Sequence, residues 1–419
     1  MEGPLTWGQQ DIWRAVVAAA PQEHYLNIAR VFPGPRRPVT VQRAMRALDA
    51  LVARHESLRT RLTGPRDAPR RLVRPTARPH VEVTSEPADL VRDRLAAEPF
   101  RYTDEWPLRV AFVVDGEHVR QVVLVLCHLA ADGHAADLVV RDFRLLLIRD
   151  ALPPVTAATP RELAEWQRSE EGARVSERAV AFWLEEYARM DPVPEAALVP
   201  GSPRFLEATM SSTALAAAAQ AVAARHRVSS STVLLAAAVR LAGGLTGQRH
   251  CGMRVIVNNR FAADRRDVVS TISQEGLVLL DLDVPSFGDL VRQGWTAAMR
   301  AYRQAWFDPY AMEEAVSAAG PGIRSFGCFN DQRLVQRDEP GAAAPDERSL
   351  REAAERTEVA WTDAMDRNIC DFRLHLGGEP GRMEVSLYAD TALLGPAGIE
   401  RYLRELETLV VDAAAGGGT

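Results

Sequence analysis

The sequence contains no lysine, so its 50 permanently positive side chains are all arginines. Alanine, glycine, proline and valine are frequent, and this bias is typical of a GC-rich coding sequence rather than of a functional choice. Arginine nevertheless keeps its charge and its bidentate hydrogen-bonding geometry wherever it is used. The formal net charge is −6, which argues against a dedicated nucleic-acid-binding protein.

Cysteine is scarce, with four residues in 419. They lie far apart and show neither the short spacing of a metal site nor a paired disulfide framework. We therefore predict no bound metal and a reduced, cytoplasmic protein. The four positions are Cys127, Cys251, Cys328 and Cys370.

Long hydrophobic runs are also missing. No apolar stretch reaches the roughly 18 residues that a membrane-spanning helix needs, and no charged-then-apolar leader opens the chain. Charged residues at 25% and hydrophobic residues at 47% are ordinary values for a globular protein. We expect no membrane association and no secretion.

The length predicts two or three domains, because one hydrophobic core rarely serves so long a chain. Residues 191–203 contain four prolines and one glycine directly after a long helical pattern, so they are the best linker candidate. We predict an N-terminal lobe over residues 1–190 and a C-terminal lobe over residues 204–419.

The most informative stretch is an apolar run, residues 122–126, that leads into polar residues. Its pattern predicts a strand buried on both faces. His128 follows the strand, and Asp132 and Gly133 follow three small or apolar residues later. Such a His could position a nucleophile or accept its proton, Asp132 could fix the turn, and Gly133 could allow a backbone conformation or approach that a Cβ forbids. The alternative is a buried, hydrogen-bonded structural histidine.

Two further strings accompany this motif. Thr6 and Gln9 have the spacing of a helix capping box, which predicts a short N-terminal helix. Residues 54–62 read Arg-His-Glu-Ser-Leu-Arg-Thr-Arg-Leu and end a helix that starts at Thr40. Asp115-Gly116 predicts a hairpin between strands 108–114 and 119–126.

These strings resemble the condensation domains of nonribosomal peptide synthetases. Cys127-His128-x-x-x-Asp132-Gly133 is similar to the family's His-His-x-x-x-Asp-Gly signature, with Cys127 in place of the first histidine. The strings at residues 6–13 and 54–60 resemble two further motifs of the family. The resemblance implies that His128, Asp132 and Gly133 are the catalytic-motif residues.

The resemblance also implies a fold and a chemistry. The fold is α/β, with two chloramphenicol acetyltransferase-like lobes arranged as a V around a central tunnel. The chemistry is an acyl transfer in which the phosphopantetheine arm of a peptidyl or acyl carrier protein delivers a thioester. The acceptor is a small molecule or a second carrier protein, and no permanently bound cofactor is expected. Because the chain begins directly before the first motif, we expect a free-standing, monomeric enzyme.

The second half matches the family less well. Helices are predicted over residues 212–226, 230–242 and 286–305, and residues 270–274 precede an apolar strand. The resemblance suggests Ser270, Ser273 and Gln274 as tunnel-lining candidates, although the residues usual in the family are absent there. Other predictions are a basic loop over residues 63–80, a helix over 137–147 and a polar connection over 342–356.

Asp132 needs a partner if it is buried, since a buried carboxylate must be paired or hydrogen-bonded. The candidates are Arg54, Arg59 and Arg260. Cys127 lies within the apolar strand, where a thiol usually behaves as an inert small hydrophobe. We assign these residues structural roles near the site.

Two alternatives to a carrier-dependent condensation enzyme remain. One is a non-catalytic condensation-like domain that binds a carrier protein or recruits a tailoring enzyme, as the Cys127 change and the eroded second half suggest. The other is an acyl-CoA-dependent O-acyltransferase of the same fold.

Overall fold

The structure of the chain is a computed structural model that describes residues 1–193, 198–320, 325–333, 346–368 and 370–416. It divides into two compact units. Unit 1 comprises Met1–Ser176 and Asn258–Gln274, and unit 2 comprises Glu177–Val257 and Glu275–Thr419. The predicted lobes differ from these units in two places. The end of the predicted N-terminal lobe, from Glu177 onward, belongs to unit 2. The segment Asn258–Gln274, which was predicted in the C-terminal lobe, belongs to unit 1.

Unit 1 begins with a short strand and contains most of the motif residues. Its strands are β1 (Glu2–Pro4), β2 (Ile28–Pro33), β3 (Thr60–Thr63), β4 (Arg70–Val73), β5 (His80–Thr84), β6 (Leu108–Asp115) and β7 (His118–Leu126). Its helices are α1 (Trp7–Ala19), α2 (Val41–Arg54), α3 (Ala88–Ala96), α4 (Gly133–Ile148) and α5 (Pro160–Gln167), and α6 (Glu170–Arg189) continues into unit 2.

Strand β7 is buried on both faces, as its continuous apolar run predicts. It lies in a four-stranded sheet of order β2-β7-β6-β5. Because side chains alternate along a strand, Val122, Leu124 and Leu126 pack with α2 and α4, whereas Val123 and Val125 pack with α1 and α3. The strand is therefore a fixed support for the residues that follow it.

Several local predictions are confirmed. Thr6 and Gln9 form the capping box of α1, and Thr40 caps α2. The hairpin joins β6 and β7 in antiparallel register, and Gly116 has φ of 60° in its turn. Helix α4 begins earlier than predicted, directly after Asp132, because the Asp132 carboxylate caps it.

The basic loop predicted over residues 63–80 is wrong in part. Residues Arg70–Val73 form β4, which pairs with β1 and β3 in a three-stranded sheet. Arg71 is 1% exposed and donates to Glu56 at 3.0 Å and to the Pro4 carbonyl at 2.6 Å. The sequence did not predict this ion pair, because Glu56 lies in the string at residues 54–62 and no local pattern connects it to Arg71.

Unit 2 is built on a seven-stranded sheet of order β10-β9-β11-β13-β14-β8-β12 over the described residues. The strands are β8 (Phe205–Ser212), β9 (His250–Val257), β10 (Gln274–Asp281), β11 (Cys328–Asp331), β12 (Glu358–Met365), β13 (Phe372–Glu379) and β14 (Arg382–Asp390). The helices are α7 (Thr213–His226), α8 (Ser230–Thr246), α9 (Phe287–Arg303), α10 (Pro309–Ala319), α11 (Glu347–Ala354) and α12 (Pro396–Ala414).

One large apolar core joins one face of this sheet to helices α7, α8, α9 and α12. The predicted helices at 212–226, 230–242 and 286–305 are confirmed as α7, α8 and α9. The predicted polar connection contains helix α11 instead, with Leu350 2% exposed, and residues 342–345 lie outside the described part. Residues 194–197 of the predicted linker also lie outside it.

Within the described ranges, no single helix has the length and hydrophobicity to cross a membrane. Helices α7 and α8 meet the criterion only as a pair, and the pair is bent by 104°. Half of the residues of α7 and more than half of those of α8 are buried in unit 2.

Candidate active site

His128 stands at the end of β7, two residues beyond the last residue of the strand. Its side chain is partly buried. The Nδ1 atom lies 3.3 Å from the Thr271 hydroxyl oxygen, and the same hydroxyl donates to the His128 backbone carbonyl. Thr271 is fully buried in the segment Asn258–Gln274, so this contact fixes both the ring and the backbone of His128.

The Thr271 contact selects one form of the imidazole ring. A threonine hydroxyl has a single proton, and here it is donated to the carbonyl of His128. The hydroxyl oxygen can then accept a proton from Nδ1, and in a neutral ring with that proton the lone pair is on Nε2. Burial lowers the pKa of His128, which favours this neutral form. The site thus presents a neutral imidazole, and one ring nitrogen of a neutral imidazole can accept a proton.

Asp132 is the most heavily bonded carboxylate near His128. It accepts the backbone N–H of Ala135 at 2.9 Å as the cap of α4. It also accepts the N–H groups of Ile272 and Ser273 at 3.0 and 3.1 Å and the Ser273 hydroxyl at 2.9 Å. Asp132 therefore joins the start of α4 to the segment that carries Thr271.

Arg260 is the arginine that pairs with Asp132, among the three candidates from the sequence. Its two terminal nitrogens each donate to one carboxylate oxygen at 2.9 Å, and both side chains are 3% exposed. Burial acts to raise the pKa of Asp132, but the charge and hydrogen bonds of Arg260, with the backbone donors, lower it overall. Arg260 also donates to the carbonyls of Asn258, Val268 and Ser270.

Arg54 and Arg59 contact other partners. Arg54 donates to Asp142 at 2.8 Å, and the His55 ring lies 3.1 Å from the same carboxylate. This network ties the end of α2 to α4. Arg59 donates to the backbone carbonyl of Arg74 at 2.8 Å. Neither arginine contacts Asp132. Both stabilise the structure around the site through these other partners.

Gly133 differs from the expectation drawn from its sequence. Its φ lies outside the left-handed region, and a Cβ built on it would meet only the Arg30 guanidinium, at 3.8 Å. That distance is an ordinary contact. The residue is exposed at the first position of α4. Neither backbone strain nor close packing within unit 1 requires a glycine here.

The three tunnel candidates are placed differently from one another. Ser270 and Gln274 are 0% and 1% exposed. Ser273 is partly exposed, and its hydroxyl is donated to Asp132. The sequence did not single out Thr271, which lies among them, because its partner His128 is 143 positions away and no local pattern connects the two.

Gln9 connects the N-terminal helix to the motif. Its side-chain amide donates to the Leu129 carbonyl at 3.0 Å and accepts from the Thr6 backbone at 3.1 Å. The N-terminal motif therefore holds the turn after His128 through the hydrogen bond from Gln9 to Leu129.

Cys127 points away from the polar cluster. Its side chain is packed in the apolar cluster with α1 and α3 and is 4% exposed, and burial raises its pKa to about 12. A thiol with this pKa is almost entirely protonated at neutral pH, and the thiolate is the nucleophilic form. The contacts support the assignment of Cys127 as a packing residue.

We predict that Cys127→Ala keeps the turnover of the parent protein. The substitution removes a buried thiol and touches none of the hydrogen bonds to Asp132. Turnover and Tm should be measured beside Cys251→Ala, a second buried cysteine whose pKa burial also raises to about 12. An acyl group trapped on Cys127, or a folded Cys127→Ala protein without activity, would contradict the assignment.

Among the described residues, no group of three or more His, Cys, Asp or Glu side chains could hold a metal ion.

Comparisons with solved structures support the fold. One of them is described as "Molecular basis for condensation domain-mediated chain release from the enacyloxin polyketide synthase". The alignment covers 99% of this chain and 82% of that chain, at 19% identity and a TM-score of 0.75. The chain also aligns with the SgcC5 protein of Streptomyces globisporus, covering 98% of each chain at 18% identity and a TM-score of 0.74. The expected two-lobed α/β fold is confirmed.

Curated relatives are large synthetases. The chain is 24% identical over 309 residues to the nonribosomal peptide synthetase kk1B of Curvularia clavata, covering 69% of this chain and 2% of that protein. It is 25% identical over 310 residues to cyclosporin synthetase simA of Tolypocladium inflatum, covering 70% of this chain and 2% of that protein. The chain thus spans only a few per cent of the length of these relatives.

The family model described as "Condensation domain" matches residues 2–303, which include His128, Asp132, Arg260 and Thr271. Because this match covers well over half of the sequence, the chain belongs to the condensation-domain family.

Proposed function

We propose that this chain is a condensation enzyme that joins a carrier-protein-bound acyl or aminoacyl thioester to an amine or a hydroxyl acceptor. Condensation domains of nonribosomal peptide and polyketide systems form amide or ester bonds in natural-product biosynthesis. The observation that carries the proposal for this chain is the position of the His128 ring at the end of β7, held by Thr271 and with its pKa lowered by burial.

The chemistry follows from that ring. The acceptor oxygen or nitrogen attacks the thioester carbonyl, and a new C–O or C–N bond forms while the C–S bond breaks. Nε2 of His128 takes the proton that the nucleophile loses, and the proton then passes to the departing thiolate. A hydroxyl acceptor needs this help more than an amine, because an amine that attacks is already neutral and nucleophilic.

The donor is proposed to arrive on the phosphopantetheine arm of a peptidyl or acyl carrier protein. The arm is a substrate carrier and leaves as a free thiol after transfer, so the chain needs no permanently bound cofactor. The acceptor is a small amine or alcohol, or a second carrier protein with an aminoacyl group. The attacking atom of that acceptor, nitrogen or oxygen, decides between an amide and an ester product.

The test is a product assay with matched donors. The purified parent protein is incubated with acyl- and aminoacyl-loaded carrier proteins, and separately with the same acyl groups on CoA, each with a panel of amine and hydroxyl acceptors. We expect amide or ester product from the carrier-bound donors, and mass spectrometry of the product identifies the bond. His128→Ala is the control for uncatalysed transfer.

Two other outcomes would replace the proposal. Product from the CoA donors alone would assign an acyl-CoA-dependent O-acyltransferase. Absence of product with every donor, together with retained binding of the loaded carrier protein, would assign a non-catalytic recruitment domain. The second outcome is the one that the Cys127 change in the signature favours.

A further inference from the structure

Cys328 and Cys370 form a close pair of thiols in unit 2. Their sulfur atoms are 3.3 Å apart although the residues are 42 positions apart in the sequence. Cys328 begins β11, and Cys370 lies just before β13, the neighbouring strand. Both residues are buried: Cys328 is 6% exposed and Cys370 is 5% exposed. The gap between the sulfur atoms exceeds a disulfide bond of about 2.05 Å by little more than 1 Å.

A positive charge lies beside this pair. Strand β9 places Arg254 opposite Cys328, and an Arg254 terminal nitrogen is 3.5 Å from the sulfur of Cys370. Glu275 balances Arg254 through an ion pair of 3.0 Å, and Tyr187 also interacts with Arg254. A guanidinium next to a thiol favours the thiolate, which is the reactive form in oxidation.

The charges and hydrogen bonds divide the two thiols into different roles. The hydrogen bond with Cys328 and the charge of Arg254 lower the pKa of Cys370 to about 7 against the opposing effect of burial. The same contact raises the pKa of Cys328. As a thiol, Cys370 also donates to the Phe372 carbonyl at 3.0 Å. Because the Arg254 guanidinium contacts the sulfur of Cys370, we assign Cys370 as the attacking sulfur and Cys328 as the resolving one.

We propose that Cys328 and Cys370 are an oxidation site, at which a peroxide converts the two thiols into a reversible disulfide. The Cys370 thiolate attacks one peroxide oxygen, the O–O bond breaks, and a sulfenic acid and hydroxide form. The Cys328 thiol then attacks that sulfur, a S–S bond forms, and the sulfenic oxygen leaves as water. In total two thiols and one hydrogen peroxide give one disulfide and two waters.

The burial of the pair restricts the oxidant. Hydrogen peroxide is close to water in size, so it needs a narrower opening than a bulky aromatic disulfide reagent. Cys127 and Cys251 are buried as well, but burial raises the pKa of each to about 12, which keeps both thiols protonated at neutral pH. They are therefore matched internal controls. This inference is independent of the proposed acyl transfer.

The experiment counts and locates oxidised thiols in the full-length parent protein. Reduced protein is treated with hydrogen peroxide, denatured, alkylated and analysed by mass spectrometry with peptide mapping. We expect two of four thiols to escape alkylation, a single Cys328–Cys370 cross-linked peptide, and recovery of all four thiols after dithiothreitol. The cross-linked protein is expected to have a higher Tm, because the link closes a long loop in the unfolded chain.

Variants separate the two roles. Cys328→Ala should accumulate a sulfenic acid on Cys370 that dimedone traps, Cys370→Ala should give neither product, and Cys251→Ala should cross-link like the parent. The oxidation rate should rise with pH through about 7. Arg254→Gln should move that midpoint upward, and Arg254→Lys should preserve it.

Three results would overturn the inference. They are four alkylatable thiols after peroxide treatment of the parent protein, a cross-link that involves Cys127 or Cys251, and over-oxidation of Cys370 without a link to Cys328. The parent measurement decides the question even if a variant fails to fold.

Discussion

Turnover of the His128→Ala protein is expected to fall by at least about 10²-fold, while its Tm stays close to that of the parent. General-base catalysis contributes about 10²- to 10⁴-fold in enzymes, and a neutral His128 ring has a nitrogen that can accept a proton. The fold should survive because the Thr271 hydroxyl donates to the backbone carbonyl of residue 128, which alanine retains. Single-turnover assays with a loaded carrier protein, with Tm measured alongside, give the comparison.

A second variant separates proton transfer from positioning. Thr271→Val keeps the size of the side chain but removes the hydroxyl that selects the Nδ1-protonated ring. We expect a smaller loss of turnover than in His128→Ala, with carrier binding unchanged. If His128→Ala turns over at nearly the parental rate, catalysis proceeds by proximity of the substrates alone, and His128 is not a base.

The pH dependence of the parent protein follows from the lowered pKa of His128. The neutral ring is the active base, so activity should be lost as pH falls through that pKa, which lies below the usual value of about 6.5. Activity should already be at its plateau at pH 7. A rate that begins to fall well above pH 6.5 would contradict the assignment of the free ring as the base.

Replacement of Asp132 by alanine is expected to lower the free energy of unfolding by about 3 to 5 kcal/mol, in addition to its effect on activity. The variant leaves the Arg260 guanidinium buried without its carboxylate, and it also removes the acceptor of the Ile272 and Ser273 backbone groups. The segment that carries Thr271 then loses its attachment to α4. Equilibrium unfolding in urea measures the change.

Asp137→Ala is the matched control. Asp137 lies on the same helix and pairs with Arg30 at 2.8 Å, but both side chains of this pair are 34% exposed. Partly exposed ion pairs contribute about 0 to 1 kcal/mol, so its loss should be small. If Asp132→Ala unfolds like the parent but loses turnover, Asp132 acts in the chemistry rather than in the structure.

The stabilisation by Asp132 also depends on pH. Because its pKa is lowered in the folded protein, the contribution is complete above the unfolded value of about 3.9 and is lost as pH falls through the lowered value. A double-mutant cycle with Arg260→Met, measured at neutral pH, isolates the coupling between the two side chains.

The sequence by itself determined the local elements that deliver the motif. The apolar run at residues 122–126 made β7 a strand buried on both faces, Asp115-Gly116 made the hairpin, and Thr6 and Gln9 capped α1. These features are encoded by neighbouring residues, because alternation, turn preference and capping act within a few positions. The position of His128 at a strand end was readable for the same reason.

Only the tertiary structure decided which distant residues meet. Arg260 pairs with Asp132 across 128 positions, whereas Arg54 and Arg59, which were equally plausible in the sequence, contact other groups. Thr271 reaches His128 because Asn258–Gln274 returns to unit 1. The sequence pattern of a helix or strand cannot predict such long-range contacts. It indicates which face of the element is buried, but not which other element packs against that face.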